Sequence, residues 1–105
     1  MTRETDIVCT LDVFEVGPAA RHKELLALLQ RSVASHYEVE GGFAFRLPGD
    51  PSVFASMAEL VTLERQCCGF IDFRLEWPAG AETFTFSMTG PEGTKEILKP
   101  LTRTA

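Results

Sequence analysis

The run Glu64-Arg65-Gln66-Cys67-Cys68-Gly69-Phe70 carries the residues best suited to chemistry in this chain. Two adjacent thiols follow a carboxylate placed three and four residues before them. Adjacent cysteines make poor partners for a disulfide with each other, because their Cα atoms are fixed about 3.8 Å apart and disulfides usually span roughly 4.4–6.8 Å. A soft ion has no such limit, since it bridges two sulfurs at a longer separation, and thiolates select soft ions over hard ones. Mercury(II) and arsenic(III) are the natural candidates, with copper(I) behind them. Zinc fits less well: its structural sites want four ligands, usually as paired Cys-x-x-Cys or His groups. The chain has no Cys-x-x-Cys, and its two histidines, His22 and His36, stand at no ligand spacing. Both are expected to be solvated or capping residues.

These residues must be positioned by a helix. With Leu60 at zero on a wheel of about 100° per residue, Val53, Phe54, Met57, Val61, Cys67 and Cys68 fall in an arc from roughly −20° to 120°. Glu64 falls at about 40°, inside the apolar stripe, and Arg65 near 140°, at its edge. A carboxylate in an apolar stripe needs a reason, because an unpaired buried charge is costly. The structural reason is an ion pair, for which Arg46 and Arg74 are candidates, or a backbone amide donor. The chemical reason is that Glu64 serves whatever the thiols hold. The helix end is no place for a self-activated nucleophile, since its partial negative charge disfavours a thiolate. Arg65, three residues before Cys68, offsets this in part. The balance favours ion capture, in which the ion itself deprotonates the thiol. Cys9 can serve as a third thiolate if its strand lies beside the helix end.

The remaining elements follow from periodicity. Ile7, Cys9, Leu11 and Val13 alternate with Val8, Thr10, Asp12 and Phe14, a strand pattern with Cys9 on its apolar face. Gly17-Pro18 opens a helix over Ala19 to about His36, with Leu25, Leu28, Leu29 and Val33 as its apolar stripe. Tyr37 and Val39 form a short extension before Gly41-Gly42. Phe43, Phe45 and Leu47 mark a second strand. Asp50 or Ser52 caps the second helix, Ser52 to Cys68, which Gly69 stops. Ile71, Phe73, Leu75 and Trp77, then Phe84, Phe86 and Met88, form a hairpin. A last helix covers Thr94 to Leu101, and Pro100 ends it early. The order β-α-β-α-β-β-α, with one apolar face per strand, specifies a two-layer α+β domain: a four-stranded sheet with helices on one face.

Composition narrows the function classes. At 105 residues the chain reads as a single α+β domain, residues 1–105, and 45% apolar content supports a core without structural metal or disulfides. A net charge of −5 argues against nucleic acid as a partner. No apolar run reaches the roughly 18 residues a membrane helix needs, and the first ten residues lack signal-peptide features. A cytoplasmic location follows, where thiols stay reduced, and three cysteines, an odd number, argue against a disulfide framework.

The string Glu64-Arg65-Gln66-Cys67-Cys68-Gly69-Phe70-Ile71-Asp72-Phe73, followed by Thr89-Gly90-Pro91-Glu92-Gly93-Thr94-Lys95-Glu96, resembles a small bacterial domain family with an E-R-x-C-C-x-F-x-x-F core. The resemblance covers about residues 37–99. Members of that family are mostly uncharacterised, and similar segments occur next to regulators of the mercury-resistance type, which implies metal sensing or scavenging. Many members have Pro at the position of Gly69, so the turn after the cysteines differs here. No DNA-binding segment accompanies the motif. By chemical analogy alone, two thiolates and a carboxylate are also the parts of an organomercurial lyase.

Two further features have ordinary explanations. Gly90 to Lys95 offers glycines before a helix, as an anion nest would, but lacks phosphate-loop spacing. Phe43, Phe45, Phe73, Trp77, Phe84 and Phe86 read as sheet core; an exposed part of that set would mark a homodimer face or a small-molecule pocket. Three functions therefore stand open. The first is capture of a thiophilic metal or metalloid by Cys67, Cys68 and Cys9, with Glu64 and Arg65 around them. The second is a thiol-dependent organometal lyase or reductase using Glu64 as its catalytic acid. The third is a structural or dimerising module with packing cysteines.

Overall fold

A computed structural model describes residues 16–102 of the chain. The strand expected over Ile7–Phe14, Cys9 included, lies outside the described residues. The elements in order are α1 (Val16–Ser32), β1 (Ser35–Val39), β2 (Gly42–Pro48), α2 (Pro51–Cys67), β3 (Asp72–Glu76), β4 (Thr83–Thr89) and α3 (Thr94–Leu98), continued by a 3-10 turn, Lys99–Thr102. The fold is α+β, with a four-stranded antiparallel sheet in the order β1-β2-β4-β3.

The first helix is shorter at its C-terminal end than its periodicity suggests. It ends at Ser32, and the stretch Ser35–Val39, expected as helix end and short extension, is the edge strand β1. The reason lies in the next residues. Glu40-Gly41 closes a tight hairpin in which Ser35 faces Arg46 and Val39 faces Gly42. Gly41 supplies the positive φ of 83° that the reversal requires. Gly42 is needed for a different reason: a Cβ there would stand 1.8 Å from the Met88 carbonyl oxygen, so β2 can approach β4 only as glycine at this point.

Period-two alternation gives the sheet its inner face. Phe43, Phe45 and Leu47 on β2 stand opposite Met88, Phe86 and Phe84 on β4, and Phe73 and Leu75 on β3 extend the layer. Phe45, Phe84, Phe86 and Leu47 are fully enclosed, each contributing roughly 1.5–3 kcal/mol of transfer free energy. Phe54 on α2 packs edge-on against Phe84 with ring centroids 4.9 Å apart. The aromatic set is therefore sheet core, as its alternation implies.

Helix α2 is the crossover between β2 and β3, which run parallel with β4 between them. Asp50 caps its start, its carboxylate accepting from the Ser52 backbone N–H at 2.8 Å, and Pro51 occupies the first turn. Met57, Leu60, Glu64 and Cys67 form its buried stripe. The crossover delivers the end of α2 to the start of β3, where Asp72 pairs with Thr89 at the end of β4. At that corner α1, α2, β4 and the terminal turn converge. No described helix is long and apolar enough to cross a membrane.

Candidate metal centre

The corner forms a partly open cavity of about 280 Å³. Cys67, Cys68, Glu64 and His22 are among its lining residues. Leu26, Ile71, Met88, Ile97, Leu98 and Leu101 supply most of the rest. Helical spacing puts Glu64 one turn before the thiols and on their face, as the wheel requires. One ligand atom from each of Glu64, Cys67 and Cys68 can be chosen so that all lie within 4.8 Å of one another, close enough to hold one ion. The two sulfurs are 3.3 Å apart, well beyond the roughly 2.05 Å of a disulfide bond between them. Both cysteines are buried, Cys68 completely.

Cys67 is the last residue of the helix and Cys68 its C-cap, with φ −129° and ψ 69°. The Cys68 backbone N–H donates to the Glu64 carbonyl oxygen at 2.6 Å, and the Ile71 N–H to the Cys68 carbonyl oxygen at 3.2 Å. The chain thus turns through Gly69 and Phe70 into β3. Gly69 does follow the helix end, but not through the left-handed conformation expected of a capping glycine: the positive-φ glycines among the described residues are Gly41, Gly80 and Gly93. A Cβ at Gly69 would meet only the Arg65 carbonyl oxygen, at 3.7 Å. The turn after the thiols does not depend on glycine.

Glu64 is 9% exposed and its partner is neither Arg46 nor Arg74. His22 Nε2 stands 2.6 Å from Glu64 Oε2, with the histidine itself 4% exposed. The expectation that His22 is solvated or capping is therefore corrected. The signal was present in the chain: residue 22 precedes Leu25 and Leu29 by three and seven positions, so it shares their buried stripe on α1. His36, by contrast, is exposed on β1. The two side chains thus form a buried hydrogen-bonded pair in the lining of the cavity that holds the thiols.

The other expected site residues are placed differently. Arg65 is exposed and lines a separate surface depression with Gly69 and Asp72, so it reaches the thiols only as a charge at the helix end. Cys68 is disulfide-bonded, which corrects the inference drawn from an odd cysteine count; Cys9 lies outside the described residues. An odd number forbids complete pairing but not one bridge. Metal capture by Cys68 consequently requires its reduction first. The Gly90–Lys95 segment is a turn leading into a helix of five residues, with Gly93 at φ 100° as its N-cap.

No protein-family model matches the chain, and no curated protein or solved structure matches it at a significant level.

Proposed function

We propose that this domain captures a thiophilic ion of the mercury–arsenic class through Cys67 and Cys68 in their reduced state, for scavenging or sensing. The observation that carries this reading is the grouping of the two sulfurs and the Glu64 carboxylate within 4.8 Å in the lining of one cavity. Glu64 and His22 accept the protons that leave the thiols as the ion binds, keeping them inside the site until they exchange with water. A reducing compartment such as the cytoplasm keeps the pair receptive, and oxidation of Cys68 closes it.

The test is titration of the reduced protein with mercury(II) or arsenite, followed by the ultraviolet charge-transfer absorption of metal–thiolate bonds. One ion per chain is expected, with the signal lost in Cys67→Ser/Cys68→Ser. An unchanged spectrum on metal addition overturns the proposal.

The buried His22–Glu64 pair favours a second reading, an organometal lyase. A proton held by the pair passes to the carbon of a carbon–metal bond; the bond's electrons go to the new C–H bond, and the metal stays on the thiolates. Turnover that disappears in Glu64→Gln, with metal binding retained, would select this reading over simple capture.

A further inference from the structure

Apart from the thiols, Glu64 and His22, the cavity is lined by apolar residues, and this bears on which thiophilic species fits. We infer that the site is shaped for a trivalent arsenical carrying one organic substituent, with arsenic on Cys67 and Cys68 and the substituent in the apolar cavity. The inference rests on the proposed thiol capture and deepens it.

The sulfurs of Cys67 and Cys68 lie 3.3 Å apart with Cys68 in its disulfide, so the reduced pair stands within reach of a single bridging atom. Two cysteines satisfy two bonds of trivalent arsenic and leave one for a substituent. Leu26, Ile71, Met88, Ile97, Leu98 and Leu101 line the same cavity as the thiols and offer apolar contacts, not strong ligands. A cavity of about 150 Å³ already accepts benzene, and this one measures 280 Å³.

The reaction is a condensation without redox change. An organoarsenous acid, R–As(OH)₂, and the two thiols give R–As(S–)₂ and two waters; each thiol proton leaves on a departing hydroxide. Cys68 must first be reduced by an external thiol, which is oxidised in its place. His22 and Glu64 stand where the proton transfers occur, so they assist departure of hydroxide without touching the substituent.

Phenylarsine oxide and arsenite serve as probes on the pre-reduced full chain, with bound arsenic measured by competition and remaining thiols counted by a chromogenic disulfide. Phenylarsine oxide is expected to bind one per chain and consume two thiols. Leu101→Trp, and independently Ile97→Phe, should fill the cavity and weaken phenylarsine oxide by about tenfold or more, with arsenite affinity unchanged. Cys9→Ser should spare phenylarsine oxide. If both cavity variants bind the two probes in the same ratio as the parent, the substituent does not lie in the cavity and the inference is overturned, while thiol capture stands. If neither probe consumes thiols, arsenic capture by the pair fails and the inference with it.

Discussion

Helices α1 and α2 are joined by two acid–base pairs that begin at neighbouring residues of α1 and differ in almost everything else. Arg21 grips Glu59 with two hydrogen bonds, 2.7 and 2.9 Å, on a surface where both side chains are more than 40% exposed. His22 reaches Glu64 through one contact of 2.6 Å, with side chains 5% and 11% exposed. The outer pair has the better geometry and the inner pair the greater consequence. Water competes for every group of the outer pair, so breaking it leaves nothing stranded. Removing His22 leaves the Glu64 carboxylate buried beside the thiols, where desolvation is not recovered. The inner pair also lines the cavity that holds the thiols, which the outer pair does not.

The largest test of this contrast removes one inner partner. Glu64→Ala or His22→Ala should lower unfolding free energy by about 3 kcal/mol, read from urea midpoints, and His22→Leu/Glu64→Leu should recover part of that loss because no polar group is stranded. A loss below about 1 kcal/mol in both single variants would place the inner pair in water's reach after all. Second in size is the start of α2. Asp50 is held below its ordinary value of 3.8 by the Ser52 hydroxyl and backbone N–H that it accepts from. Its cap therefore contributes stability that is present above the ordinary carboxylate pKa and is lost as pH falls through the lowered folded value. Asp50→Ala should reduce the Tm by a few degrees near neutrality and flatten that acid limb. Smallest is the outer pair. Glu59 is lowered from 4.5 by hydrogen bonding to Arg21, with the same sign: its contribution is present above that value and fades below it. Arg21→Ala should change the Tm little at neutral pH, and 1 M salt should erase even that difference while leaving the Glu64→Ala effect intact.

The α2 end of the site was legible because a helix writes its face into the chain. Glu64, Cys67 and Cys68 share a stripe at helical spacing, and the structure brings them together. The β3–β4 hairpin and the Asp50 cap were legible for similar local reasons. Strand β1 was not, since Ser-His-Tyr-Glu-Val is exposed except at its end and carries no apolar alternation; only pairing with β2 makes it a strand. The His22–Glu64 contact joins positions 42 apart, and while the stripe of α1 marked His22 as inward, nothing local named its partner. The cavity was hidden for the same reason, being closed by Ile97 and Leu101 from the far end of the chain.

Glu64 is attached to the thiol pair twice, and the two attachments are independent. Its backbone carbonyl fixes Cys68 through the 2.6 Å helix-end hydrogen bond, and its side chain faces the sulfurs. Any residue at position 64 can keep the first link, because a carbonyl is common to all of them. The backbone link to Cys68 is thereby independent of the side chain at 64, so a Gln, His or Cys there alters the donor set and the His22 contact while keeping that link. Such modularity makes position 64 a natural dial for retuning the site to another ion, in the laboratory or in descent.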